Sequence, residues 1–358
     1  MNYPLFVFRV FAPQIFATLF LLIPQIGMAA DPFQIQELWR GTNSDSPPII
    51  HNGDVAWTGD EGGDLEVFLY SNGVVQQLTN TPNFDEEYPI SLNNGQVVWA
   101  APPAGSSNSQ IMLYDGTQTI QLSNGPFGAS QPSIHNGQVA WIQPNQTVNH
   151  VMFYDGIQTR QISSTALTNS FFPQIYNGQV VWHQDGPFGQ AGPHNVFFFN
   201  GQQTVTLGTG TRNHTGVSSF AHLHAGTVVW SRHTPPITDV VYLYDGSGSS
   251  PVGNAGTVNI TPKIHNGEVV WMRLQTSGPN AGRFDVFHRK NGVSSNLSSH
   301  LPDGGVFPDI HNGQVVWASY DGNDNEIFLF DGQQVIQVTH NDTSDFRPRI
   351  HNGQITWE

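Results

Sequence analysis

The sequence predicts an all-β fold built from repeated four-stranded antiparallel sheets, on three observations. A phrase of the form His-Asn-Gly-x-Val-x-Trp is written eight times, starting at His51, Asn93, His135, Tyr176, His224, His265, His311 and His351. Successive copies begin 40 to 48 residues apart. Between them lie β-branched and aromatic runs punctuated by Asn-Gly or Asp-Gly, with no stretch of helical periodicity. Short strands recurring at that period are the signature of β-propeller blades.

Each element of the unit follows from its residues. The first strand is the segment before the turn, such as Pro308-Asp309-Ile310-His311. Asn-Gly then supplies a two-residue hairpin, because both residues tolerate positive φ. The second strand is Gln-Val-Val-Trp, in which Val315 and Trp317 share a face at period two. A loop of variable length follows. The third strand is aliphatic and aromatic, as in Ile111 to Tyr114 or Ile327 to Phe330, and ends in Asp-Gly or Asn-Gly, read as another tight hairpin. The fourth strand is weaker, as in Val335 to Thr339. A lone sheet of this kind has two apolar faces and covers neither, so blades must stack. The eight repeated Trp residues, from Trp57 to Trp357, are then inter-blade core.

The ends set the expected blade count. Phe33 to Trp39, followed by Asp45 and Pro48, aligns with Val335 to Thr339, followed by Asp345 and Pro348. The N-terminal segment 33–40 therefore reads as a fourth-type strand, and the chain stops after a second-type strand at Trp357-Glu358. Joining the two closes a ring of eight blades, the eighth built from residues 33–40 and 347–358; seven blades is the alternative. Ring closure removes free sheet edges.

Composition excludes several classes. The 358 residues contain no Cys, so disulfides, thiolate metal sites and a Cys nucleophile are absent. A formal charge of −15 from 12 basic and 27 acidic residues argues against a nucleic-acid partner, which needs clustered Lys and Arg. Residues 1–30 read as a signal peptide: Arg9, an apolar run from Ile15 to Ile23, then Gly27-Met28-Ala29-Ala30. The run is too short to span a membrane, which takes about 20 apolar residues. Residues 31–358 are then a single, non-spanning, monomeric propeller, periplasmic or extracellular.

The order Pro-x-Ile-His-Asn-Gly-x-Val-Val-Trp, the polar run Asp321 to Glu326 before Ile-Phe-Leu-Phe-Asp-Gly, and Gln337-Val338-Thr339 resembles the TolB-type propeller repeat across residues 33–358. The resemblance implies a secreted or periplasmic propeller and no particular activity, since such blades serve as scaffolds, protein binders, lectins and occasional lyases or peptidases. TolB's own propeller is smaller, and its separate N-terminal domain has no counterpart here. No Gly-x-Ser-x-Gly elbow accompanies these repeats.

Antiparallel order puts the first–second and third–fourth turns at one edge of each blade and the variable second–third and fourth–first loops at the other. Function is expected at the variable edge. The periodic His residues, His51, His135, His224, His265, His311 and His351, read as fold residues that cap their own turns or pack between blades. The aperiodic His183, His194, His214 and His233, with Arg212 and Arg232, lie in variable loops of two adjacent blades. They are the catalytic candidates for a metal-assisted polysaccharide lyase or hydrolase, with imidazoles as ligands or base and the guanidiniums neutralising an acidic sugar. Asp321, Asn323, Asn325 and Glu326 place oxygen ligands at intervals suited to calcium. No cofactor is required by this reading, and calcium or a divalent transition metal is the ion such residues would hold. The expected function is non-enzymatic binding of a protein or glycan at the variable edge; the enzyme and a structural envelope protein are the alternatives.

Overall fold

The computed structural model describes residues 7–9, 33, 35–38, 47–60, 64–81, 87–103, 105–164, 169–185, 193–211, 221–234, 238–253, 256–278 and 281–358. The expected leader, apart from residues 7–9, and the segment around Trp39 lie outside the described residues. The chain divides into two compact units, one of residues 1–86 and 274–358, the other of residues 87–273.

Seven sheets have four strands in the order first-second-third-fourth. Blade 1 comprises Ile49–His51, Asp54–Asp60, Leu65–Ser71 and Val74–Gln77. Blade 7 comprises Val306–His311, Gln314–Tyr320, Asn325–Phe330 and Val335–Gln337. Blades 2, 3, 4, 5 and 6 open with Glu87–Asn93, Ser130–His135, Asn169–Tyr176, His222–His224 and Asn259–His265.

The blade count corrects the expectation of eight. The last hairpin, Arg349–His351 with Gln354–Trp357, belongs to a three-stranded sheet and not to a four-stranded blade. The strand laid on Gln354–Trp357 is Val7–Arg9, which pairs in parallel from inside the expected leader. Of the expected partner, residues 33–40, the described residues 33 and 35–38 form no strand: Ile35 and Glu37 make isolated bridges, while Phe33 packs against the apolar cluster of the hairpin.

Packing follows from the repeat. Val316, Ala318, Ile327 and Leu329 of blade 7 meet Ile350, Ile355 and Trp357 of the hairpin in one buried cluster. Val98, Ala100, Ile111 and Leu113 of blade 2 meet Ile134, Val139 and Trp141 of blade 3 in the same way. One face of a blade thus buries against the opposite face of the next, so both faces of the second strand are apolar. Each repeated Trp is at most 2% exposed. Burying one removes about 200 Å² from water, worth about 5 kcal/mol before entropy. Its cross-strand neighbour is aromatic in several blades, as with Trp57 on Phe68, Trp182 on Phe197, Trp230 on Tyr242 and Trp317 on Phe328, with centroids 5.6–6.0 Å apart.

The Asn-Gly turns between first and second strands take the expected geometry, as at Asn312 (φ 49°) and Gly313 (φ 79°), whereas Asn200-Gly201 opens a four-residue loop. The Asp-Gly turns also depart from it. Tyr114 pairs with Thr119, so Asp115 opens a four-residue loop, and its Oδ1 accepts the N–H groups of Thr117 and Gln118 at 2.8 and 2.9 Å. The Thr117 hydroxyl, donating to the same oxygen at 2.7 Å, and then those backbone bonds hold the Asp115 carboxyl down at about 2.

The periodic His residues serve the fold, by a route different from capping their own turns. Nδ1 of His135 accepts the N–H of Asn177 at 3.2 Å, that of His224 accepts Asn266 at 3.2 Å, and that of His311 accepts Asn352 at 3.0 Å. Each ring therefore holds the turn of the next repeat. Their rings also meet: His224 lies 4.2 Å from His265 and His311 lies 4.1 Å from His351. Asn93 does the same work in blade 2, its Oδ1 accepting the N–H of Asn136 at 2.8 Å. A second set of bonds runs beneath, with Ser133 Oγ accepting from Ile175 and Asp309 Oδ2 from Ile350.

Candidate functional site

The first strands carry a second repeated device, at the edge that the variable loops share. In five repeats the residue before a proline is left-handed although it is not glycine: Gln131 (φ 54°), Phe172 (φ 53°), Thr261 (φ 51°), Phe307 (φ 55°) and Arg347 (φ 48°). Each precedes a proline three positions before the turn residue, as Phe307-Pro308 precedes His311. In four of them the strand register shifts there, between Ser130 and Ser133, Phe171 and Gln174, Ile260 and Lys263, and Val306 and Asp309. These are β-bulges, which re-aim a side chain. A β-branched or bulky residue in that region is a genuine conformational outlier and costs about 1–3 kcal/mol.

In the second unit, Gln131 Oε1 accepts the N–H of Phe172 at 2.7 Å, so one bulge holds the next. In the first unit, Arg347 pairs with Glu358 at 2.9 Å. Phe346 and Glu358 also exchange backbone bonds of 2.7 and 3.1 Å. Phe307 is 41% exposed. Tyr320, at the variable end of the second strand of blade 7, is also exposed, and so is Phe127 in the fourth–first loop after blade 2. The sequence analysis missed the bulges. Their signal was legible as the pre-proline residue at a fixed offset from each turn.

The six catalytic candidates do not form a described centre. His183 is buried in the second strand of blade 4, and its Nε2 accepts the N–H of Ala221 at 2.8 Å. That bond commits it to the fold. His194 and His233 lie on the strands Pro193–Phe199 and Thr227–Thr234. Arg232 lies over the Tyr242 ring at 5.5 Å. Arg212 and His214 fall outside the described residues. Among the described residues the propeller carries no catalytic constellation and no helix long and apolar enough to cross a membrane.

The predicted metal residues are partly brought together. Asp321 and Glu326 converge with Asp324, their ligand atoms all within 4.8 Å of one another. Asn323 is exposed at the turn, and its N–H donates to Asp321 Oδ1 at 2.9 Å. The backbone of Asn325 donates its N–H to Ser344 Oγ and accepts the N–H of Asp345 at 2.6 Å, which ties this loop to the fourth–first loop. Burial, with Asp345 and Asp324 beside it, pushes the Glu326 carboxyl up to about 8.

No protein-family model matches the chain, and no curated protein matches its sequence. Solved structures do match its fold. The β-propeller domain of the Trilobed protease from Pyrococcus furiosus, described as having an open velcro topology, aligns at TM-score 0.50 and 10% identity, over 95% of this chain and 98% of that one. An acylaminoacyl peptidase from Pyrococcus horikoshii aligns at 0.52 and 11% identity, over 74% of this chain and 47% of that one. A prolyl endopeptidase aligns at 0.51 and 11%, over 82% and 50%. This chain thus spans about half the length of those two peptidases. The matches correct the TolB resemblance and give carbohydrate binding no support. They also overturn the periplasmic or extracellular location, since the propellers that this fold resembles are those of peptidases, and Val7–Arg9 of the expected leader is a strand of the fold. At this level of identity the fold is what is shared: an all-β propeller of four-stranded blades.

Proposed function

We propose that the chain is a non-catalytic propeller that binds a protein or peptide segment at its variable-loop edge. The observation that carries this reading is the set of left-handed residues before proline. A bulge kept for the fold alone would take glycine, which adopts positive φ without steric cost. Here the positions hold Gln131, Phe172, Thr261, Phe307 and Arg347. The backbone device repeats while the side-chain chemistry varies, which is how a rigid scaffold displays recognition groups. Strain of this kind clusters at ligand clamps. Phe307 and Arg347 are exposed, and an aromatic ring and a guanidinium suit the mixed polar and apolar surface of a polypeptide. The peptidases that share the fold, by their names, act on peptides, so a peptide is the ligand class to test first.

The test is selection from a random-sequence peptide library displayed on phage, followed by affinity measurement by fluorescence anisotropy. Selected peptides are expected to bind the native chain and to lose at least tenfold in affinity to Phe307→Ala. Val293→Ser, 72% exposed beside the Asn291-Gly292 turn at the opposite edge, is expected to leave binding unchanged. Failure to enrich any peptide, or equal affinity for Phe307→Ala, would overturn the reading.

A further inference from the structure

We propose that Asp321, Asp324 and Glu326, with Asp345 beside them, form a site for one calcium ion on blade 7. Three observations carry it. The first is convergence: one carboxylate oxygen from each of Asp321, Asp324 and Glu326 lies within 4.8 Å of the others. Oxygens on opposite sides of a calcium ion stand about 4.6–5.2 Å apart, twice the bond length of about 2.3–2.6 Å.

The second is an orphaned atom. Glu326 is fully buried, and its Oε1 has no hydrogen-bond partner. Its Oε2 accepts the hydroxyl of Thr339, which orients the carboxylate. A buried carboxylate oxygen left without a partner is costly, and a cation at the convergence point would satisfy it. The equivalent residue of blade 1, Glu66, accepts the N–H of Thr81 on Oε1 at 2.9 Å and leaves its Oε2 without a partner, so what sets Glu326 apart is the convergence of Asp321 and Asp324 on it.

The third is preorganisation. Asp321 Oδ1 accepts the N–H of Asn323 at 2.9 Å, and its Oδ2 accepts from Gln337 Nε2 at 3.0 Å. Asn341 Nδ2 donates to Asp345 Oδ2 at 3.0 Å, and the Asp345 N–H is fixed on Asn325 at 2.6 Å. A carboxylate oxygen has more than one acceptor position, so these bonds orient the ligands without using them up. The donors are all oxygens with no imidazole or thiolate among them, which favours a hard cation over zinc. The loop contributes an exposed and a partly exposed ligand, Asp321 and Asp324, so an ion can enter from solvent. The site joins the second–third loop to the fourth–first loop of blade 7, so an ion there would brace the variable edge beside Tyr320 and Arg347.

The experiment uses the full chain, stripped with chelator and titrated with calcium chloride by calorimetry, with melting curves alongside. One ion per chain and a melting temperature raised by several degrees are expected. Glu326→Gln is expected to abolish both effects. Asp321→Asn, at an exposed position where the amide oxygen still accepts the N–H of Asn323, is expected to weaken calcium binding at least tenfold while the calcium-free chain still folds. It decides the matter where Glu326→Gln fails to fold. No heat and no melting shift up to millimolar calcium would overturn the site, as would a calcium response that Asp321→Asn leaves intact.

Discussion

Nδ1 of His351 accepts the backbone N–H of Asn52 at 3.0 Å, joining residues 299 positions apart. The same turn is held twice more, by Asn352 Nδ2 donating to Asn52 Oδ1 at 2.8 Å and by ring contact between His351 and His51 at 4.2 Å. Within the first unit this places the C-terminal hairpin between blade 7 and blade 1. The hairpin is not a blade, yet its turn is held to the turns of both blade 7 and blade 1 as one repeat is to the next.

His351→Ala removes the acceptor and the ring contact, and is expected to cost about 1–2 kcal/mol in a denaturant titration. His351→Asn is expected to cost much less, because Asn93 already makes the equivalent bond to Asn136. Equal losses for both variants would show that the bond to Asn52 does not stabilise the fold.

Stability is expected to fall in mild acid, through His224. Burial first, then the nearby His265 and His135, lower this imidazole to about 4 from an ordinary 6.5. Between those values the unfolded chain binds a proton that the folded chain does not. This contribution is therefore complete above about pH 6.5 and is lost as pH falls through about 4. Protonation would also put a hydrogen on Nδ1, which accepts from Asn266. His224→Asn should flatten the fall in melting temperature between pH 7 and pH 4. An unchanged pH profile in that variant would remove His224 from the account.

Two glycines before blade 7 leave no room for a side chain. At Gly304 (φ +71°) a Cβ would lie 2.0 Å from the carbonyl oxygen of Phe284, and at Gly305 it would lie 2.6 Å from Cδ1 of Trp317. Either alanine substitution is expected to cost about 2–4 kcal/mol by chemical denaturation. Gly73→Ala makes a useful control, since positive φ applies there but nothing lies within 4 Å. A smaller loss at Gly304 than at Gly73 would contradict the packing described.

Much of the fold is legible because the repeat writes it eight times. Trp317, Val315 and the Asn312-Gly313 turn could each be placed from spacing alone, since a buried strand and a type I′ turn have local signatures. The blade count was not legible. The hairpin at His351 repeats the local pattern of its seven counterparts, and what distinguishes it is its pairing: Gln354–Trp357 lies in a three-stranded sheet beside Val7–Arg9, a relation between distant segments. The role of the periodic His residues was half legible: repetition pointed to the fold, but the accepting bond reaches the next repeat, a relation that no local pattern contains. At the metal cluster the sequence favoured Asn323 and Asn325 at alternate positions. The turn also brings Asp324 to Asp321 and Glu326, a convergence that depends on the turn geometry and not on the alternate spacing. Of the His183 group, His183 itself lies in a buried strand and accepts the backbone N–H of Ala221, a relation 38 positions away that no local pattern contains, while Arg212 and His214 lie outside the described residues.

The measurement that most directly tests the proposed function is the affinity of a library-selected peptide for Phe307→Gly, taken with the melting temperature of that variant. Glycine relieves the left-handed strain at φ 55° while removing the exposed ring. The account predicts a melting temperature unchanged or raised and an affinity at least tenfold weaker, since the strain is kept for recognition. A melting temperature lowered by more than about 5 °C, which at this size is a loss of about 1–2 kcal/mol or more, together with undiminished affinity would show that Phe307 serves the fold and not a ligand.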